Sequence, residues 1–527
     1  MAQQVHAGEA AEIKLETKRL KRGLTLLPLT GIIYFTVCGG TFGIEPLIGG
    51  SGPGLALLMI LLTPLIFSVP LILMVREMTS MMPVEGGYYH WIKQAFGPFA
   101  GFLAGWMNLM VSWLDASIYP VLAAAYLAFF FPILDSGVTV AGIDIPGTTV
   151  SFALGVMLIW LVTALQIRGA RLTGLTTNWI GLFILIPLAL MTILGMYNWI
   201  QAPPTDLPFM PPNTDFTGAF GLGLFVVMWN YMGFELATVA GDEIVNPKRT
   251  YPIAMGIVLV LTIATYLLPV TAGLMGGAGG GGRYLLWGAE ATQDGETITT
   301  VLEPYGVDAA KLTEWGVDPE GTSGWYLPDI AQAVGDQTSG SGSSLGSLLG
   351  GLMTIGAALS MVGLFIGNSL GGSRIPFALS EDGMAPNWLV RVSPKYGTPW
   401  VAIIVAGVIY TVFASNAFAF LVVADVLLNM LVLIACFFAL WKLRRSRPDQ
   451  PRKKVPGGYL GLALVTLGPI FITVMAVYSQ WVDVGSDSIT LAVVAIIVGA
   501  ILYFPIRRFV KPGIPDIDPF QTGEHTA

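Results

Sequence analysis

Phe35-Thr36-Val37-Cys38-Gly39-Gly40-Thr41-Phe42-Gly43-Ile44-Glu45 occupies the middle of the first long apolar run, and it is a poor sequence for an unbroken membrane helix. In a bilayer every backbone N–H and C=O must find a partner, so a loosened helix survives only where protein buries it or a cavity needs it. Close packing of glycines against a neighbouring helix is the plainer reading of the same residues. Glu45 favours a site, because an ionisable group in a span costs roughly 2.5–3.5 kcal/mol on insertion scales and is functional by default.

The rest of the chain agrees that the solvent is lipid. Of 527 residues, 54% are hydrophobic and only 11% charged, against about 25% charged in soluble proteins. Residues 1–24 are polar, carry Lys14, Lys18, Arg19, Lys21 and Arg22, and contain no apolar signal core, so the first span is expected to direct insertion. Cys38 and Cys436 both lie in apolar runs, which argues against an extracellular disulfide framework. His6, His90 and His525 are too scattered for a metal cluster. With no nucleotide-binding loop, no catalytic or metal constellation and no cofactor motif, neither an enzyme nor a nucleic-acid partner is indicated.

Runs near the roughly 20 residues that cross a bilayer fall at 25–48, 54–76, 97–131, 150–168, 174–197, 217–240, 252–275, 346–373, 399–416, 418–441, 459–480 and 487–506. Twelve spans put both termini on one side. Only Arg283 and Lys311 then fall on the other side, so the side holding the termini is the cytoplasm of a cell-membrane protein. Removing one span would turn Lys442–Lys454 and Arg507–Lys511 to the wrong face. Between spans seven and eight lies a long extracellular connection, 276–345, rich in glycine and acid and expected to be largely mobile. Its less polar part, Trp325–Ala331, is a candidate outer cap.

The sixth run repeats the theme of the first. Trp229-Asn230-Tyr231-Met232-Gly233-Phe234-Glu235 places another Gly-x-Glu at similar depth, and because five spans separate the starts of the two runs, the second copy begins on the opposite side of the membrane. Interrupted segments in corresponding positions of two inverted halves mark the substrate site of secondary transporters.

These stretches, with Glu85-Gly86-Gly87-Tyr88-Tyr89-His90-Trp91 and Asn246-Pro247-Lys248-Arg249, resemble the amino acid–polyamine–organocation transporter superfamily. Leu114–Leu122, Ala358–Phe365 and Glu381–Pro386 are similar to its polyamine–proton symporter branch, and the likeness runs from span one to about Pro456. The resemblance implies an all-α polytopic fold: a five-plus-five, LeuT-like inverted-repeat core with helices one and six broken, plus two peripheral helices. The divisions are then 1–24 tail, 25–197 first repeat, 217–441 second repeat with the loop 276–345, 459–506 the last two spans, and 507–527 tail. It also implies alternating access, with the backbone at Cys38, Gly39, Gly40 and Thr41 facing a substrate carboxylate and carbonyls near Trp229, Asn230 and Tyr231 facing an amine. Two features depart from the family. Ile184 stands where many amino-acid members carry a fifth-span lysine, and Gly233-Phe234-Glu235 replaces the Trp-Asp-Ser pattern of many polyamine members.

Four carboxylates fall inside the expected spans, Glu45, Asp115, Glu235 and Asp425, with no basic residue read at their depth. Such acids either take up a proton or hold a cation; a neutral acid bonded to a neighbouring helix is the structural alternative, strongest for Asp425. Asp115 and Tyr119 are one helical turn apart, so acid and phenol share a face fit for an ammonium, although packing explains Tyr119 equally well. Gly43 and Gly233 supply the turns. Glu235 is the first candidate for proton coupling and Glu45 the second, while Ser360 is a candidate cation ligand beside span one. Arg76, Glu77 and Glu85 read as interfacial charges more readily than as a gate. The expected activity is proton-coupled uptake of a cationic amine, with a neutral amino acid permease or a non-transporting membrane sensor as alternatives.

Overall fold

The computed structural model describes residues 23–82, 87–128, 130–131, 133–136, 138–140, 143–145, 147–204, 206–234, 244–289, 296–321, 324–415, 418–483 and 487–509. Nearly all of both expected tails, Glu85-Gly86 and Glu235 therefore lie outside the described residues.

Span one is two helices, α1 (Leu26–Val37) and α2 (Glu45–Ser51). Gly39, Gly40 and Gly43 hold φ of +63°, +124° and +81° between them, conformations that glycine enters without steric cost and that no helix can contain. The helix restarts at Glu45 with Pro46 in its first turn, where a missing N–H costs nothing. Span two comprises α3 (Pro53–Thr63), a π-helical turn over Pro64–Ser68, and α4 (Val69–Met81). Pro64 removes an N–H from the ladder, and the widened turn begins at that residue. A short helix, α5 (Tyr88–Phe96), leads into span three, α6 (Pro98–Ala128).

After the small helix α7 (Ile133–Ser136) comes a feature that the sequence reading missed: an antiparallel hairpin of β1 (Val138–Val140) and β2 (Ile143–Ile145), paired Val138 to Ile145. Its strands are three residues each, too short for alternation to be read. Then follow α8 (Gly147–Ile167), α9 (Ala170–Gln201), α10 (Phe216–Asn230) and α11 (Pro247–Gly273).

The connection 276–345 is not the mobile loop expected. Its described part holds α12 (Ile298–Leu302), α13 (Ala309–Glu314) and α14 (Leu327–Ser339), and Leu285, Leu286, Trp287, Ile298, Leu312, Leu327 and Ile330 are buried. Glycine and acid dominate its composition, but its apolar residues recur often enough to dock it on the bundle.

The second half continues with α15 (Ser344–Glu381), α16 (Trp400–Phe413), α17 (Phe418–Ser446), α18 (Gly458–Asp483) and α19 (Asp487–Phe509). Each of the twelve expected spans thus has a helix or helix pair among the described residues, and seven are by themselves long and apolar enough to cross a membrane. Helix α15 is the axis of the bundle, packed against α1, α6, α9 and α14. Its apolar window is 72% buried, against 28% in α8 and 33% in α18, whose exposed faces carry residues such as Leu161 and Leu464. The first helix lies in the protein interior; the other two present apolar surface outward.

Helix α15 also runs past the apolar run 346–373, and Arg374 in the continuation is fully buried, donating to Ser373 Oγ at 2.8 Å. A basic group is thus buried in the bundle just beyond the apolar run, where the sequence reading placed the end of the span. A hydropathy boundary ends where charge begins, whereas this helix carries the charge onward inside protein.

Candidate functional site

The two broken spans meet. Gly233 has φ +97°, and a Cβ placed on it would lie 1.8 Å from the Thr36 carbonyl oxygen, so the second break presses its bare backbone on the end of α1. Asn230 reaches across in the other direction, Nδ2 donating to the Gly43 carbonyl at 3.3 Å. Just before the first break and after the second, Val245 N donates to Leu24 O at 2.9 Å, a further backbone tie between the halves.

Beside this junction is a small cavity lined by five of the spans. Span one contributes Thr36, Val37, Cys38 and Phe42; span three Val111, Asp115 and Tyr119; span six Trp229, Asn230, Met232 and Gly233; α15 Leu364; and α17 Asp425 and Asn429. Tyr119 donates to Asp115 Oδ1 at 2.7 Å, and its ring stacks on Trp229 at 6.4 Å and 17°. Both carboxylates are almost wholly withdrawn from solvent, Asp115 at 6% and Asp425 at 2% exposure. The result is an apolar and aromatic chamber with acid on two of its helices, an environment suited to a cation that sheds its water on entering.

The sequence candidates divide on inspection. Cys38, Asp115, Tyr119, Trp229, Asn230 and Gly233 line the cavity together. Gly39, Gly40 and Gly43 form the turns that open it. Thr41 faces elsewhere: buried, it donates to the Thr265 carbonyl of α11 at 2.5 Å. Tyr231 is also turned away, its hydroxyl on the Ile60 carbonyl at 2.9 Å, while its own carbonyl accepts from Ser68 in the π turn at 3.3 Å. Ser360 donates across the bundle to the Gly39 carbonyl rather than back to its own helix. Glu235 lies outside the described residues.

The structure does not bring Glu45 to this cavity. Glu45 is the first residue of α2, beyond the break, and its Oε1 accepts from the Leu327 amide at 3.1 Å. The apolar run gives no sign of where the break ends, and seven non-helical residues carry Glu45 to the underside of the outer cap.

Asn429 was missed in the sequence, and Asp425 was read there as the acid with the best structural excuse. Their spacing of one turn was the available signal, but only the packing of α17 shows that this face is internal.

The backbone of the first break is already engaged. Cys38 N and Gly39 N both donate to Tyr34 O, at 2.8 and 3.2 Å, and Gly40 N donates to Cys38 Sγ at 3.3 Å. Three of the four amides expected to face a carboxylate, those of Cys38, Gly39 and Gly40, therefore have partners within the chain. On the sixth-span side, the Asn230 carbonyl accepts from Tyr266 at 3.0 Å, leaving lone-pair capacity for an ammonium.

Comparison with known proteins adds three findings. A family model described as amino acid permease matches residues 24–281 and 322–502. A probable polyamine transporter of Arabidopsis thaliana is 28% identical over 511 residues, 96% of this chain and 90% of the relative. The polyamine transporter RMV1 of the same plant is 27% identical over 97% and 90% of the two chains, and polyamine transporter PUT1 of Oryza sativa subsp. japonica is 27% identical over 94% and 82%. Among solved structures, MhsT in complex with L-phenylalanine matches at a TM-score of 0.55 and 13% identity, covering 88% of this chain and all of that one. The likeness shows the fold, a LeuT-like core with its first and sixth helices broken.

Proposed function

The chain belongs to the amino acid permease family and is a secondary transporter rather than an enzyme, and from that premise we propose that its cargo is a cationic amine, a polyamine above all, taken up by proton symport. The observation that carries this reading is the Asp115–Tyr119 pair, stacked on Trp229 where the two broken helices meet. A carboxylate, a phenol oxygen and a ring face are the three kinds of contact that an ammonium accepts.

The engaged amides of Cys38, Gly39 and Gly40 weigh against an amino acid. A substrate carboxylate would have to displace bonds already made, whereas an amine needs none of those donors. The polyamine transporters among the relatives support the same choice.

For coupling, Glu235 is the proton carrier in this reading, on its sequence position directly after Gly233-Phe234. Ser360 with the Gly39 carbonyl is the place a sodium ion would use if sodium replaced protons as driver. The protein is placed in the cell membrane with both termini cytoplasmic, its two repeats at 25–197 and 217–441 rocking to expose the cavity to each side in turn.

The test is uptake into proteoliposomes. Labelled putrescine should accumulate under an inward proton gradient, with sodium replaced by choline, and a mixture of neutral amino acids should compete poorly. Glu235→Gln should keep putrescine exchange but lose pH-driven accumulation. Saturable binding without flux under either gradient would make the protein a sensor, and effective competition by neutral amino acids would make it an amino acid permease.

A further inference from the structure

Asp425 and Asn429 are one turn apart on α17, both nearly fully buried, and both line the cavity that holds Asp115. Asp115 belongs to α6, so the two carboxylates reach the chamber on separate helices. Tyr119, which donates to Asp115, lines the same chamber as Asp425. A ligand held at one end by Asp115 and Tyr119 therefore has a second carboxylate, on another helix, lining the chamber that its other end would occupy. Asn429 adds a side-chain carbonyl able to accept from an ammonium.

We propose that Asp425, with Asn429, is a second ammonium subsite, so that the cavity reads both ends of a linear diamine. This rests on the reading of the protein as an amine transporter and deepens it. A single acid would favour a monoamine, because the second ammonium of a diamine would enter an apolar chamber uncompensated. Two acids reverse that preference: a diamine makes an ionic contact at each end, whereas a monoamine makes one. Discrimination then comes from the contact that only the second ammonium can make. The buried Arg374 does not line the cavity.

The experiment compares putrescine with n-butylamine, the same carbon chain with one ammonium, as competitors for labelled putrescine uptake in proteoliposomes. The full-length protein should favour putrescine by at least about tenfold, the effect of one modest ionic contact. Asp425→Asn should narrow that ratio to within about threefold, chiefly by weakening putrescine. Asp425→Glu should restore the preference and move the optimum toward the shorter 1,3-diaminopropane, a shift that a merely structural carboxylate would not produce. An unchanged ratio in Asp425→Asn overturns the subsite while leaving amine transport intact, and so does an unchanged length optimum in Asp425→Glu, which decides the matter if the Asn variant does not fold. No uptake of either amine by the unmodified protein overturns the transport reading and the subsite together.

Discussion

Arg444, near the end of α17, grips Glu77 of α4 with both arms of its guanidinium: Nε donates to Oε1 at 2.7 Å and Nη2 to Oε2 at 2.5 Å. Glu77 is fully buried and also accepts from the Val455 amide at 2.6 Å, while Arg444 Nη1 donates to the Gly458 carbonyl at 2.8 Å. Glu77 had been read as an interfacial charge; it is instead the anchor that ties span two, span ten and the entry to span eleven.

Removing one member of such a pair strands the other in a low-dielectric interior, which typically costs about 3–5 kcal/mol. Arg444→Ala is expected to lower the thermal transition in detergent strongly and reduce the monodisperse fraction. Arg444→Lys should fall between, because an ammonium cannot reproduce the two-pronged geometry. Glu77→Gln combined with Arg444→Met should recover part of the loss, since no buried charge remains. A thermal melt of all four proteins checks the order, and an Arg444→Ala melt equal to the unmodified one would mean the pair is solvated.

Gly233 should tolerate nothing larger. At φ +97° a side chain is strained, and its Cβ would lie 1.8 Å from the Thr36 carbonyl oxygen, so Gly233→Ala must force the two breaks apart. Gly97 separates the two effects: its φ is +95°, yet a Cβ there meets nothing within 4 Å. Gly97→Ala should cost only backbone strain, on the order of 1–2 kcal/mol, and retain uptake. Gly233→Ala should lose at least about 90% of uptake at equal surface expression, because close contact of the breaks is what shapes the cavity. Equal uptake by the two variants would show that the junction is looser than its geometry implies.

Thr41 offers a test of which break residues face the substrate. Its hydroxyl is committed to Thr265, so Thr41→Val should remove one buried hydrogen bond and leave the Thr265 carbonyl short of a donor, a cost of about 1–3 kcal/mol. The half-saturation concentration for putrescine should stay within about twofold. A tenfold rise without loss of stability would place Thr41 in the substrate's path after all.

What could be read in advance was whatever a backbone must declare in its own sequence. Glycines alone do not break a helix, as α15 with its Gly350-Gly351 and Gly371-Gly372 pairs shows, but three glycines closed by a glutamate in mid-span and a second Gly-x-Glu five spans later marked the broken pair, so the fold was visible. So was the Asp115–Tyr119 face, because one helical turn fixes it. Asp425 and Asn429 share a face by the same rule, but which side of α17 looks inward is decided by its neighbours. Arg374 and Glu77 were misjudged for a related reason: hydropathy sees a charge and ends the span, whereas these helices carry their charges into protein. The loop 276–345 was misjudged because composition averages away the spacing of its apolar residues.

Glu45 brings the last expectation. Its carboxylate accepts from Leu327 N, the first residue of α14, so it satisfies an amide that a helix start leaves unpaired and puts negative charge at the positive end of that helix. Glu45 thereby ties the outer half of span one to the cap, 282 residues away in sequence. Glu45→Ala strands the buried Leu327 amide and should cost about 1–3 kcal/mol, with faster hydrogen exchange over 325–331. Glu45→Gln keeps an acceptor oxygen and loses only the charge acting on the helix end, about 0.3–1 kcal/mol, so exchange there should rise little. The two variants also divide the work of the two Gly-x-Glu carboxylates. If coupling belongs to Glu235, Glu45→Gln should still concentrate putrescine under a proton gradient to within about twofold of the unmodified protein. Loss of pH-driven accumulation with exchange transport preserved would instead make Glu45 a proton carrier, and the cap would then open and close with its charge.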